Sequence, residues 1–278
     1  MAAAARAGAT MRAMPLYKEQ GVVLRAAKLG EADKIVTVMT QGSGKVRAVA
    51  KGIRKTTSRF GARLEPTTHV SLMLYRGRGA LDTVSQAEII SPFLPIRRDL
   101  GLLAAAETML EATDKVAEEH ERNVRLFVLL LGGLRALEAV PPDPAAVAES
   151  FLLKLLSLSG FHPSLTACAE CGRPDPGLFS AGQGGAVCPG CAAPDAEPVS
   201  TGALALLSVL GGSGFAEAGA LAPEPAVRRE ARRLLFGFAE YHLERRMKSL
   251  PLLVRGSPPL ARTCPTSIRS ACRSTSPS

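Results

Sequence analysis

The chain has 278 residues, 46% of them hydrophobic, and a formal net charge of +9. That composition excludes a disordered protein, and the length favours two domains over one. No stretch approaches the roughly 18 uninterrupted apolar residues of a membrane span, because the leucine-rich run Leu126 to Leu137 is broken by Gly132, Gly133 and Arg135; a cytoplasmic protein with no membrane partner is expected.

Residues 1–13 are Ala-rich and lack the apolar run of a signal peptide, so they are predicted to be a disordered extension, with the folded chain starting at Met14-Pro15-Leu16-Tyr17. From Gln20 to Ile90 the chain reads as five short strands separated by turn residues: Gly21 to Leu29, Lys34 to Thr40, Lys45 to Gly52, His69 to Tyr75 and Ala80 to Ile90. Tight reversals at Gly30-Glu31-Ala32-Asp33 and Gln41-Gly42-Ser43-Gly44 imply an antiparallel meander. Five such strands fit a small closed barrel such as an OB-fold; another small barrel or a sandwich has the same strand count.

Beyond Pro95 the period becomes helical. Asp99 is placed to cap a helix reaching about His120, Asn123 a second, and Asp143 with Pro144 a third that Gly160 ends. Helices resume at Ser200 and after Glu224-Pro225. From Gly256 to Ser278 the Ser, Pro, Thr and Arg-rich sequence has no hydrophobic period, and a disordered tail is expected.

Charge is unevenly spread. Between residues 12 and 80, fourteen Lys or Arg stand against four Asp or Glu, an excess of ten, whereas residues 81–278 hold 19 basic and 21 acidic side chains. One domain therefore projects a positive field, which favours a polyanion as partner. Its densest segment is Lys51-Gly52-Ile53-Arg54-Lys55-Thr56-Thr57-Ser58-Arg59-Phe60-Gly61-Ala62-Arg63. With Arg25, Lys34, Lys45 and Arg47, the residues Lys51, Arg54, Lys55, Arg59 and Arg63 form the candidate nucleic-acid-binding set, long cations that neutralise phosphates and release counterions. Phe60 and Tyr75 are candidates either for stacking on bases or for the barrel core.

Four of the six cysteines stand as Cys168-Ala169-Glu170-Cys171 and Cys188-Pro189-Gly190-Cys191. Two C-x-x-C pairs at this spacing supply four thiolates from two tight turns, a closed tetrahedral set for a structural Zn2+ with no open position for catalysis. A redox dithiol and four metal-free thiols are the competing readings. Cys264 and Cys272 fall in the tail and receive no role.

No catalytic residues are assigned. Gly42-Ser43-Gly44-Lys45 resembles part of a phosphate loop, but Met39 and Val46 stand where that pattern needs glycine and a hydroxyl, so it reads as a hairpin turn. His69, His120, His162 and His242 are scattered, and no acidic cluster suits Mg2+-dependent cleavage.

Lys51-Gly52-Ile53-Arg54-Lys55 with Ser58-Arg59-Phe60-Gly61 and Leu64-Glu65-Pro66 resembles the loop signature of the RecO family, and Gly21-Val22-Val23-Leu24 with Gly30-Glu31-Ala32-Asp33 resembles its first hairpin. The resemblance continues through Phe151-Leu152-Leu153-Lys154-Leu155-Leu156, Gly160-Phe161-His162-Pro163, the cysteine pairs, Tyr241-His242-Leu243 and Lys248-Ser249-Leu250. It implies an α+β chain: an N-terminal five-stranded OB-fold β-barrel at 14–94, then a C-terminal α-helical domain at 95–255 with an inserted four-cysteine zinc module at 165–198. It implies a non-enzymatic mediator of the RecF pathway that binds single-stranded and double-stranded DNA, anneals strands without ATP, cooperates with RecR and helps load recombinase. It further implies that the acidic, hydrophobic tail of single-stranded-DNA-binding protein docks on the helical domain, where Arg228, Arg229, Arg232 and Arg233 are the candidates to meet it. Residue pattern alone leaves open a zinc-ribbon RNA-binding protein of transcription or translation, and a metal-dependent nuclease.

Overall fold

A computed structural model describes residues 16–53, 60–77 and 79–255; the expected extension at 1–13, the expected tail at 256–278, and Arg54, Lys55 and Arg59 lie outside the described residues. Five strands, β1 (Leu16–Leu29), β2 (Asp33–Thr40), β3 (Gly44–Ala50), β4 (His69–Tyr75) and β5 (Asp82–Ser91), close into a barrel in the order β1-β2-β3-β5-β4, the OB-fold arrangement. Inward-facing residues alternate along each strand, so Val23, Val36, Val38, Val46, Ala48, Val70, Leu72, Leu74 and Val84 fill the barrel, with Ile53, Phe60 and Leu64 joining them from the β3–β4 connection.

Two features depart from the sequence expectation. β1 starts at Leu16 instead of Gly21, because its first half pairs with β4 (Leu16↔Tyr75 to Val22↔His69) and its second half with β2. One strand shared between two partners needs a close crossing at Gly21, where a Cβ would lie 2.7 Å from the Met39 carbonyl oxygen. The meander is also incomplete, since the barrel closes through a parallel pairing of β3 with β5 at Ala48↔Asp82 and Val49↔Thr83.

The helical part comprises α1 (Leu94–Arg98), α2 (Leu100–Val116), α3 (Val124–Glu138), α4 (Pro144–Leu158), α5 (Thr201–Gly212), α6 (Phe215–Gly219), α7 (Pro225–His242) and α8 (Leu250–Arg255). The expected caps form: side chains of Asp99, Asn123 and Asp143 accept hydrogen bonds from the amides of Leu102, Leu126 and Ala146 at 2.8, 3.0 and 3.1 Å, and Ser200 caps α5 in the same way through the Ala203 amide at 3.1 Å. Gly160 adopts φ +91° just beyond α4, the left-handed geometry that ends a helix. Among the described residues no helix is long and apolar enough to cross a membrane.

Helix α2 stops at Val116, short of the expected His120, because the following link pairs with the barrel. The Lys45 amide donates to the Glu118 carbonyl at 3.4 Å, and the His120 amide to the Lys45 carbonyl at 2.9 Å. Val22, Leu24 and Met39, on the outer surface of β1 and β2, belong to the same buried cluster as Leu102, Met109, Leu126 and Phe127. The barrel and the helices thus share one core across their seam. His69 of β4 is buried in that seam, its ring centroid 6.0 Å from that of Phe127, and its Nε2 has no hydrogen-bond partner.

Helix α4 runs through the middle of the bundle, buried from Pro144 to Leu156 except at Lys154. The Lys154 ammonium donates to the Ser213 carbonyl at 2.7 Å and to the Leu210 carbonyl at 3.2 Å, satisfying the end of α5. Buried Glu149 meets Arg228 at 3.1 Å and Arg232 at 2.7 Å, and Arg228 also reaches Asp143 at 2.8 Å. Burial pushes the Glu149 carboxyl above its usual range while the two guanidiniums pull it back.

Replacing Glu149 with Ala would take the shared carboxylate away from Arg228 and Arg232 inside the bundle and leave Arg228 with Asp143 alone, and about 3–5 kcal/mol of stability should be lost, read as a lower urea midpoint. For His69, burial and then the Arg135 charge lower the pKa from 6.5, so the folded state holds it neutral. The unfolded chain takes up a proton first as pH falls below that value, and stability should drop there. Urea unfolding at about pH 7.5 and about pH 5.5 should show that drop in the wild type and less of it in His69→Phe.

Candidate nucleic-acid interface and metal centre

The insert between α4 and α5 is built on a three-stranded sheet, β6 (Leu178–Ser180), β7 (Gly185–Val187) and β8 (Glu197–Pro198), in the order β7-β6-β8. Cys168 and Cys171 precede it, and Cys188 and Cys191 follow β7 directly. Each pair bends around a tight turn: the Gly172 amide donates to the Cys168 carbonyl at 2.9 Å, and the Cys191 amide to that of Cys188 at 3.0 Å. Gly172 takes φ +71°, which a side chain would oppose. The four sulfurs lie within 4.8 Å of one another, and Cys171 Sγ is 3.8 Å from Cys188 Sγ.

That spacing is far beyond a disulfide and close to the ~3.8 Å edge of a tetrahedron with ~2.3 Å metal–sulfur bonds. Backbone hydrogen bonds from Cys171 and Cys188 bring the Cys168 pKa down to about 6, favouring the thiolate that a metal ligand must be. Hydrogen bonding to Cys188 and Cys171 pushes Cys191 up to about 12, so without an ion the cluster retains protons that binding would release. The donor set therefore fits one soft, tetrahedral cation with no coordination site left for water.

The insert is held to α7. The His242 ring lies 3.0 Å through Nε2 from the Ala181 carbonyl and stacks on Phe161 at 4.7 Å between centroids. Arg233 pairs with Glu197 of β8. Of the four arginines expected to meet a partner's tail, Arg228 and Arg232 are thus withdrawn into the bundle by Glu149, and Arg233 is tied to the insert. Arg229 is exposed, and no ion pair engages it among the described residues.

On the barrel, the structure gathers part of the cationic set. Arg25, Thr37 and Arg47 are cross-strand neighbours on β1, β2 and β3, and their partners in the alternation, Val36, Val38, Val46 and Ala48, point inward. Arg25 and Arg47 therefore share the outer face; Lys45 lies on it two residues before Arg47, and Lys51 continues the alternation just past β3. Lys34 sits apart at the barrel end, 2.9 Å from Glu65, and Arg63 is exposed on the short 3-10 turn Gly61–Leu64.

This face is less positive than the sequence count implies, because acids from the helical part meet it. Arg25 pairs with Asp114 at 2.9 Å, Lys45 with Asp114 at 3.5 Å, and Arg47 with Glu119 at 3.4 Å. A count restricted to residues 12–80 misses them; the acidic run Glu118-Glu119-His120-Glu121 beside the barrel was the available signal. Two further cations escaped the candidate set: Lys18 and Arg122 line a groove of about 540 Å3 with Gln20, Gln41 and Ser71. Phe60 lies in the barrel core, which removes it from stacking, whereas Tyr75 is 41% exposed.

The geometry defines a class: an OB-barrel protein with a partly screened cationic face, carried on a helical domain interrupted by an insert whose four clustered cysteines could hold a metal ion. Two family models match the chain, Recombination protein O N terminal over residues 13–93 and Recombination protein O C terminal over residues 97–251. The DNA repair protein RecO of Frankia casuarinae is 48% identical over 245 residues, covering 87% of this chain and 100% of that protein. Proteins of the same name from Nocardioides sp. and Bifidobacterium adolescentis are 43% and 42% identical over 252 and 246 residues, each covering 86% of this chain and 100% of the relative. The chain belongs to the RecO family of DNA repair proteins.

Titrating the reduced protein with Co2+ should give the visible absorption of a tetrahedral thiolate site at one equivalent, and Cys188→Ser should weaken it and lower the melting temperature.

Proposed function

We propose that this protein is a recombination mediator that binds single-stranded and double-stranded DNA, anneals complementary strands, and helps load recombinase on strands coated by single-stranded-DNA-binding protein. The observation that carries the reading is the gathering of Arg25, Lys45, Arg47 and Lys51 on one outer face of an OB barrel, the surface such barrels use for oligonucleotides. Annealing requires only that two polyanions be neutralised and brought together, so no residue needs to act on the DNA covalently.

In this reading the barrel, 14–94, is the DNA-binding domain, and Lys34, Arg54, Lys55, Arg59 and Arg63 join the face in contacting DNA. The helical domain, 95–255, meets RecR and the tail of single-stranded-DNA-binding protein, with Arg229 the arginine of α7 best placed for an acidic tail. The four cysteines hold a structural Zn2+ that staples the insert at 165–198 to the bundle. The protein works in the cytoplasm, at the nucleoid during repair.

Fluorescence anisotropy with a labelled single strand tests this directly. Affinity should fall steeply with salt, and Lys51→Ala with Arg63→Ala should weaken binding and lower the log–log salt slope by about 0.7 for each phosphate that is no longer neutralised. An equal preference for RNA with no strand annealing would favour an RNA-binding protein, and absence of salt-sensitive binding would end the proposal.

A further inference from the structure

The cations on the β1–β3 face already have anionic partners, and those partners are built into the fold. After α2 the chain leaves the helix and lies alongside Lys45, with Glu119 in a parallel bridge to that residue. The Lys45 ammonium donates to the Asp114 carbonyl at 2.7 Å. Gly44, at φ +67°, lets the link approach so closely that a Cβ there would sit 1.8 Å from the Glu121 carbonyl oxygen. Main-chain contacts therefore fix this segment, and the carboxylates of Asp114 and Glu119 are delivered to the same place in every molecule.

A carboxylate at these distances from a guanidinium or ammonium offers the charge and acceptor geometry of a phosphate oxygen. Two of the three pairs are also open to solvent: the side chains of Arg25 and Asp114 are 56% and 23% exposed, and those of Arg47 and Glu119 are 33% and 39% exposed, whereas Lys45 is more enclosed at 14%. Exposed pairs of this kind are weakly held and exchange readily for another anion.

We infer that Asp114 and Glu119 set the affinity of the barrel for nucleic acid by occupying Arg25, Lys45 and Arg47 as internal stand-ins for backbone phosphates. The inference rests on the DNA-binding reading above and adds to it that binding is an exchange, in which strand phosphates displace protein carboxylates. A face screened in this way holds a strand less tightly than its own cations allow, and it releases the strand more readily once a complement has paired with it.

The test compares wild type, Asp114→Asn with Glu119→Gln, Glu119→Gln alone, and Glu224→Gln, which removes the same charge from an exposed side chain at the start of α7. Each is measured for affinity to a labelled oligothymidine over a salt series, with thermal melting as the check on folding. The double variant should bind about 3- to 10-fold more tightly than wild type, with a log–log salt slope steeper by about one to two. Glu119→Gln should shift part of the way, and Glu224→Gln little. Even if the double variant melts early, Glu119→Gln still decides, since Glu119 is the more exposed of the two carboxylates. Wild-type binding with no tightening in either variant beyond that of Glu224→Gln would overturn the inference alone and leave these carboxylates as domain pins. No salt-sensitive binding by the wild type would remove the DNA-binding reading and this inference with it.

Discussion

The shared core between barrel and bundle is the constraint on which the rest of this architecture depends. Val22, Leu24 and Met39 are outward residues of β1 and β2, yet they are buried with Leu102, Met109 and Phe127. Exposing apolar side chains of this size costs about 1.5–3 kcal/mol each, so the two parts are held at one relative orientation and do not swing as beads on a linker. That orientation brings the end of α2 alongside β3. The strand register sets the cationic face, and the screening of that face by Asp114 and Glu119 follows from the apolar packing that holds barrel and bundle together.

The bundle carries its own polar centre. Glu149 and the two arginines around it are costly to bury and are tolerated because each charge is matched, with Asp143 completing the set. The arrangement joins α4 to α7. Helix α7 in turn holds the four-cysteine insert through His242 and Arg233, so the position of the cysteine cluster is set from the centre of the bundle outward. At the far end of the chain Glu111 is a second organising carboxylate. Burial acts to raise its pKa, but hydrogen bonds from the Ser249 side chain and the Lys248 and Ser249 amides outweigh that and hold it low. Those bonds anchor the start of α8.

Local chemistry was legible in the sequence. Caps at Asp99, Asn123 and Asp143 depend on a side chain and a backbone amide three residues apart, and the cysteine pairs depend on two tight turns; each was readable from spacing alone. What escaped was set by partners distant along the chain. The first half of β1 looks polar and featureless until β4 is there to pair with it. Helix α2 would run on toward His120 but for the claim of Lys45 on the following backbone. The arginines of α7 look like a solvated stripe, because nothing near them in sequence announces Glu149. The positive field of the barrel was overestimated from its own residues, since counter-charges to Arg25, Lys45 and Arg47 arrive from residues 114 and 119.

The parallel closure of the barrel has a consequence of its own. Only Ala48 and Val49 register with Asp82 and Thr83 across that seam, whereas β1 and β2 are laced along eight pairs. The cylinder is hooped tightly on one side and latched at a single point on the other. Lys51 and the β3–β4 connection begin two residues from that latch. Of the pairings that close the barrel this is the shortest, so local opening of the cylinder costs least there while the β1–β2 wall stays shut.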